Sequence, residues 1–241
     1  SKEADFKRIP DLNALKFGEN DAYVHLTSNN TIHGTQWKSF PQRKESTFIA
    51  DMSSDILSRS LPIDQFGLIY AGAQKNLGPA GVTVVILKKD LLSEIPDNLP
   101  TMLDYRTHVN KKSLYNTPPS FAIYMLSLVL EWTKKKGGLK EIEKINAEKT
   151  KLLYTTIDGS KGFYSGTAET ESRSSMNVTF TLPSKELEDL FLKEAEEEGF
   201  VGLKGHRSVG GCRASIYNAV PLDSVRALSD FMHTFHHKHN I

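Results

Sequence analysis

The feature that most constrains this chain is a set of short β-rich runs at residues 22–26, 47–50, 66–70 and 82–87. The last three are almost uninterrupted in apolar residues, the pattern of strands covered on both faces of a sheet. They are expected at the sheet centre. Each of the first three gives way to small or polar residues, at 27–31, 51–54 and 71–75. In an open α/β sheet, ligands gather beyond the carboxyl ends of the strands. Residues with chemistry are therefore sought at those three places.

Pro118 and Pro119 open a helix in which Phe121, Tyr124, Met125, Leu128, Val129 and Trp132 recur at three-to-four spacing and which stops at Gly137-Gly138. A second helix from Leu139 carries Ile142, Ile145, Leu152, Leu153 and Ile157 on one side and Glu and Lys on the other, as an amphipathic connector. The texture then changes to a strand at 176–182, Ser184 as an N-cap, a helix at 186–198, a strand at 212–217 and a helix bearing Val225, Leu228, Met232 and Phe235. The fold class expected is α/β, with a mainly parallel sheet and covering helices followed by a smaller α+β domain. The expected division is residues 1–157 and 158–241.

Thirty Lys plus Arg against 29 Asp plus Glu leave a net charge of +1, which offers no polyelectrolyte field for nucleic acid or anionic lipid. The longest apolar stretch, 121–132, includes Ser127 and Glu131 and falls short of the ~20 residues that cross a bilayer. No membrane partner is expected. Cys212 is the one cysteine, which excludes a disulfide framework and a Cys-built zinc site and agrees with a cytoplasmic location. His236-His237-Lys238-His239 reads as a solvated helix end, and no metal is expected. The chain begins at Ser1 without a Met, as a processed chain, a fragment or a Met-trimmed protein would.

Lys75 is the most informative residue. It closes a buried run on a turn of small residues, where partial desolvation lowers an amine's pKa and frees it for a Schiff base; a solvated turn lysine is the plainer alternative. Asp51 ends the run at 47–50 and sits at the same sheet edge if the strands are parallel. A carboxylate there suits a protonated pyridine nitrogen, or the N-cap of a helix over 53–58. Arg207 and Arg213 flank the turn Gly210-Gly211, so that two planar forks can face different ends of a small dianion. A basic surface loop is the alternative. His206, His33 and His25 also read as structural histidines, and Cys212 as a packed small residue.

Four stretches in register, Ala-Asp51-Met-Ser-Ser, Ala-Gly-Ala-Gln-Lys75-Asn, Ser113-Leu-Tyr-Asn-Thr-Pro-Pro119 and the long Gly205-to-Ala219 segment, closely resemble phosphoserine aminotransferases. The resemblance implies a fold-type-I large domain and a homodimer with shared active sites. It implies pyridoxal 5'-phosphate as cofactor and amino-group transfer between glutamate/2-oxoglutarate and phosphoserine/3-phosphohydroxypyruvate, in serine biosynthesis. It makes Lys75 the Schiff-base lysine, Asp51 the partner of the pyridine nitrogen, Thr31 a ligand near the cofactor's phenolic oxygen and Gln74 a ligand of its phosphate. Asn116 and Thr117 reach that phosphate from the other subunit, and His206, Arg207 and Arg213 hold substrate anions.

The front departs from that pattern, since only 74 residues precede Lys75 and the family's N-terminal third does not match anything here. Neither Trp37 nor Trp132 stands where a ring-stacking residue would. A separate N-terminal chain of the same protein is thus an expected partner, and the chain alone is not expected to turn over. The alternatives are an inactive cofactor-binding or dimerisation fragment and a related fold-type-I aminotransferase with another substrate. A cysteine desulfurase is disfavoured, because Cys212 lies inside the anion motif.

Overall fold

A computed structural model describes residues 2–18, 21–41 and 46–240. The strands are β1 (Val24–Thr27), β2 (Asn29–Asn30), β3 (Thr35–Gln36), β4 (Phe48–Asp51), β5 (Leu68–Gly72) and β6 (Thr83–Leu87). One sheet runs β1-β4-β5-β6. Its first three strands are parallel and β6 returns antiparallel to β5. The parallel register sets Asp51 between Thr27 and Tyr70, so β1 and β4 end level while β5 runs on to Gly72. β2 and β3 form a separate hairpin above that edge.

β4 and β5 are buried as their apolar runs require, with Ala50 and Ala71 fully enclosed. β6 differs from expectation. It forms an edge of the sheet among the described residues, with Thr83 exposed and Ile86 42% exposed. An apolar run reports what a strand is able to bury, not what lies opposite it.

The helices that follow are α1 (Tyr105–Asn110), α2 (Ser120–Lys135) and α3 (Gly138–Gly159). Asp104 caps α1 by accepting from the Arg106 N–H at 2.8 Å. Between α2 and α3 the chain turns through Gly137 and Gly138, both left-handed at φ 100° and 74°, a conformation that disfavours side chains with a Cβ. The last part of the chain is β7 (Ser165–Gly166), β8 (Asn177–Thr181), α4 (Lys185–Glu197), β9 (Cys212–Ser215) and α5 (Leu222–His239). Its sheet is β7-β8-β9, wholly antiparallel.

Two apolar cores result. One gathers Leu26, Phe48, Ile69 and their neighbours under the first sheet. The other packs Leu153 and Ile157 of α3 with Phe180, Phe191, Met232 and Phe235. The end of α5 is solvated on one side, where His237 and Lys238 are exposed, and packed on the other: the His236 ring lies 4.6 Å from Phe163 and the His239 ring 4.4 Å from Phe235. Burial, then the neighbouring His237 and His233, lower the His236 pKa. The three-to-four periodicity of α5 already put position 235 inside, and one helical turn on, position 239 follows it.

The cores meet through polar groups. Asn29 Nδ2 donates to Ser54 Oγ at 2.9 Å and to Asn177 Oδ1 at 2.8 Å. The buried Asp55 carboxylate accepts from Ser28 Oγ and from Gln36 Nε2, while Gln36 Oε1 accepts from the Ser175 N–H at 3.1 Å. Burial pushes the Asp55 carboxyl up, against the pull of Ser28, Arg59 and Gln36. Such a network is costly unless nearly every member is satisfied, and it therefore fixes one relative placement. No helix among the described residues is long and apolar enough to cross a membrane.

Candidate active site

Lys75 stands in the turn that joins β5 to β6. The Ala73 N–H donates to Val82 O at 2.9 Å, and the Leu77 and Gly78 N–H groups both return to Ala73 O, so the turn is closed by its own backbone. From it Lys75 Nζ donates to Thr31 Oγ1 at 2.7 Å. Burial lowers the Lys75 pKa, nearby Asp51 pulls it back up and Arg213 lowers it again. The amine is thus kept closer to its neutral form than a surface lysine.

Thr31 is placed by the β2–β3 hairpin. Asn30 Oδ1 accepts from the Ile32 and His33 N–H groups at 3.0 and 3.1 Å, an Asx turn that sets the bend. The bend closes on Gly34 at φ 68°, where a Cβ would sit 2.2 Å from Thr179 Oγ1. The same threonine is touched from the other side: Arg213 Nη1, on β9, reaches Thr31 O at 3.5 Å. Arg213 Nε is buried and has no partner among the described residues. A buried guanidinium N–H left open is a donor that suits an incoming anion.

Asp51 ends β4 beside Tyr70 of β5. Its Oδ1 accepts from the Ser53 N–H at 2.9 Å and from Ser53 Oγ at 2.6 Å, while the Gly72 N–H donates to Ser53 Oγ at 3.0 Å. Ser53 therefore orients the carboxylate and staples β4 to β5. The alternative, Asp51 as the N-cap of a helix over 53–58, does not hold: these residues form turns and bends, and the Asp51 side chain closes an Asx turn. Burial, then Asp51, raise the Tyr70 pKa, and the Tyr70 hydroxyl is 3.0 Å from His25 Nε2. Sequence reasoning missed Ser53 and Tyr70. The Asp-x-Ser spacing was the available signal for Ser53, whereas Tyr70 needed the strand register.

The class-V aminotransferase model matches residues 5–228. The chain belongs to the class-V aminotransferase family. It is 65% identical to the phosphoserine aminotransferase of Geobacillus kaustophilus (strain HTA426) over 98% of this chain and 65% of that protein. The phosphoserine aminotransferase structure from Bacillus circulans subsp. alkalophilus superposes with a TM-score of 0.97 at 56% identity, over 99% of this chain and 66% of that one. The pyridoxal-phosphate-bound phosphoserine aminotransferase from Trichomonas vaginalis gives 0.90 at 37% identity, over 95% and 65%. The chain thus spans about two thirds of the length of the relatives it matches, and its fold is that of the fold-type-I aminotransferases.

Within this class-V aminotransferase chain the remaining candidates are spread out. Gln74 is exposed, and its amide folds back over Gly72, where a Cβ would sit 2.7 Å from Gln74 Oε1. His206 is half-buried, its Nδ1 2.7 Å from Ser208 Oγ, and Arg207 beside it is exposed. His206 also lowers the pKa of His33, after burial, so both imidazoles face one region. Asn116 and Thr117 are exposed, with Asn116 Nδ2 donating to Thr117 O at 3.2 Å, and no contact brings them to Lys75. Trp132 lines a cleft of about 350 Å³ that Lys75 also lines. Cys212 is enclosed and burial pushes its thiol up to about 12, which leaves it inert.

Proposed function

We propose that this chain is part of a phosphoserine aminotransferase that exchanges an amino group between glutamate and 3-phosphohydroxypyruvate, with pyridoxal phosphate as cofactor. The convergence on Thr31 carries the reading: Lys75 Nζ donates to its hydroxyl and Arg213 Nη1 to its carbonyl. An amine whose pKa burial lowers and a fork for a carboxylate thus share one residue, with Asp51 at the adjacent strand end. The relatives' names supply the substrates.

The donor set fits the cofactor. Lys75 would hold its aldehyde carbon, Asp51 its ring nitrogen, Thr31 its phenolic oxygen and Gln74 its phosphate. When bound, pyridoxal phosphate supplies an electron-accepting ring that takes up the pair left on an α-carbon. Asp51, fixed by Ser53, holds the proton on the ring nitrogen. Lys75 Nζ takes the proton from the amino acid's Cα and keeps it within reach for return. Arg213 binds the α-carboxylate through its open Nε and a terminal nitrogen, which orients the Cα–H bond. His206 and Arg207 meet the phosphate.

The exposed Asn116-Thr117 pair belongs in this reading to the active site of a second copy, so the enzyme is a homodimer. The chain divides into two units near residue 157, and its enclosed single cysteine agrees with the cytoplasm. The portion outside the present span supplies the rest of the pocket.

The test is transamination with glutamate and 3-phosphohydroxypyruvate. It is run on the chain alone and on the chain joined to the N-terminal third of the Geobacillus relative. Turnover with the phosphorylated keto acid is expected in the joined form, and borohydride should fix the cofactor on Lys75. Equal rates for an unphosphorylated keto acid, or fixation only at other lysines, would refute the reading.

A further inference from the structure

Lys149, on α3, is fully buried. A buried lysine is normally paired with a carboxylate. Here Nζ donates instead to three backbone carbonyls, Ile216 O at 2.9 Å, Tyr217 O at 2.8 Å and Val220 O at 3.2 Å. An ammonium group has three protons, and these acceptors take them all. The cation thereby winds the chain that leaves β9 into a turn around itself.

Asn218 stands in that turn, also buried. Its N–H donates to Asn76 Oδ1 at 3.1 Å, its Nδ2 to Leu57 O at 3.0 Å, and its Oδ1 accepts from Asn146 Nδ2 at 2.8 Å. Asn76 follows Lys75 directly and donates from Nδ2 to Ile56 O at 2.9 Å. Lys75 and Arg213 are therefore joined twice. Thr31 links them across the open side of the site, and Asn76 with Asn218 links them behind it.

We propose that Lys149, acting through Asn218 and Asn76, is a positioning residue that fixes the Lys75 turn relative to the Arg213 strand. The proposal rests on the aminotransferase reading only for the purpose of that geometry. The amine must reach a Cα–H bond that the guanidinium orients, and a displacement of about 1 Å at such a place costs up to ~10²-fold. An apolar residue at 149 would fill the space but leave three carbonyls without donors. A cation satisfies all of them from one atom.

The test is Lys149→Met, which keeps the length of the side chain and removes the donors. Hydrogen exchange on the purified protein should quicken at 216–220 and, across the joint, at 73–78. In the form that carries turnover, kcat should fall about tenfold or more, and reductive labelling of Lys75 by pyridoxal phosphate should slow. Faster exchange confined to 216–220, with kcat and Lys75 labelling unchanged, would overturn the proposal. Should Lys149→Met not fold, Asn218→Ala leaves the lysine and its carbonyls in place; it should free 73–78 with little change at 216–220, and an unmoved 73–78 refutes the coupling. Exchange and turnover separate the two claims. A wild-type protein with coupled exchange and no transamination sinks the function and keeps the joint, and the reverse result sinks the joint alone.

Discussion

Around α5 the core is closed, with Phe180, Phe191 and Phe235 each at 1% exposure or less, whereas around α2 Phe121 is 72% exposed and Tyr124 59%. Both helices carry an apolar stripe at helical spacing. The α5 stripe meets β8 residues, α4 and α3, which complete it within the chain. The α2 stripe leaves large side chains in water, and in the segment before it Leu103 is 69% and Leu114 64% exposed. Patches of that kind mark surfaces that another molecule or segment covers; in the homodimer reading proposed above the cover is a second copy, which would account for the exposed Asn116 and Thr117 as well.

The sharpest way to break this contrast is to truncate one aromatic on each side. Phe191→Ala should cost ~3–5 kcal/mol in urea unfolding, because it empties a closed core. Phe121→Ala in the dissociated chain should stay within about 0.5 kcal/mol. Similar losses at both positions would mean that α2 is buried within the chain after all.

Next in size is association. A charge placed on the patch, Phe121→Glu, should weaken self-association by about 2 kcal/mol or more, read as a shift of the dimer's concentration dependence in sedimentation. An unchanged assembly would move the second copy to another surface.

A smaller effect distinguishes the closed side electrostatically. Burial lowers Lys149 from 10.5 to about 8. Between those values the unfolded chain holds a proton that the folded chain has released, so stability rises with pH across that window. The three carbonyls that accept from Nζ oppose the release and keep the rise on the order of 1 kcal/mol. In Lys149→Met this rise should vanish from the pH profile of the unfolding midpoint.

The least perturbing probe is chemical. Cys212, 1% exposed with its thiol near 12, should resist a disulfide reagent at pH 8 until the protein unfolds. A cysteine put in by Phe121→Cys should react at once. Rapid reaction of Cys212 in the folded protein would show that the second core opens locally.

What the sequence made legible follows from local pattern. The runs at β4 and β5, the turn holding Lys75 and the Asp51 strand end lie within a few residues of the signals that mark them. The match to known motifs extended this to Arg213 and Thr31. Properties set by distant partners stayed hidden. Helical spacing sets Lys149 within the apolar stripe of α3, four residues from both Ile145 and Leu153, but the partners that let a lysine sit there, the carbonyls of Ile216, Tyr217 and Val220, come from a distant segment. β6 reads as a central strand because its residues are apolar, yet its exposure depends on what packs beside it. For Asp51 a helix N-cap stood as the alternative to a cofactor partner; its Oδ1 accepts from the Ser53 N–H as a cap would, but the residues that follow make turns rather than a helix.

The antiparallel return of β6 onto β5 has a bearing on the order in which the protein acquires its parts. Lys75 is carried by a hairpin whose pairing, Gly72 with Thr83 onward, draws only on neighbouring chain. Local contacts of this sort close quickly, whereas pairings distant in sequence wait for the chain between them. During synthesis the lysine's turn is therefore complete as soon as β6 has emerged, while β9, bearing Arg213, still lies far downstream. If Lys75 and Arg213 play the parts proposed above, the nascent protein would own its reactive amine well before it owns the means to tell one acid from another.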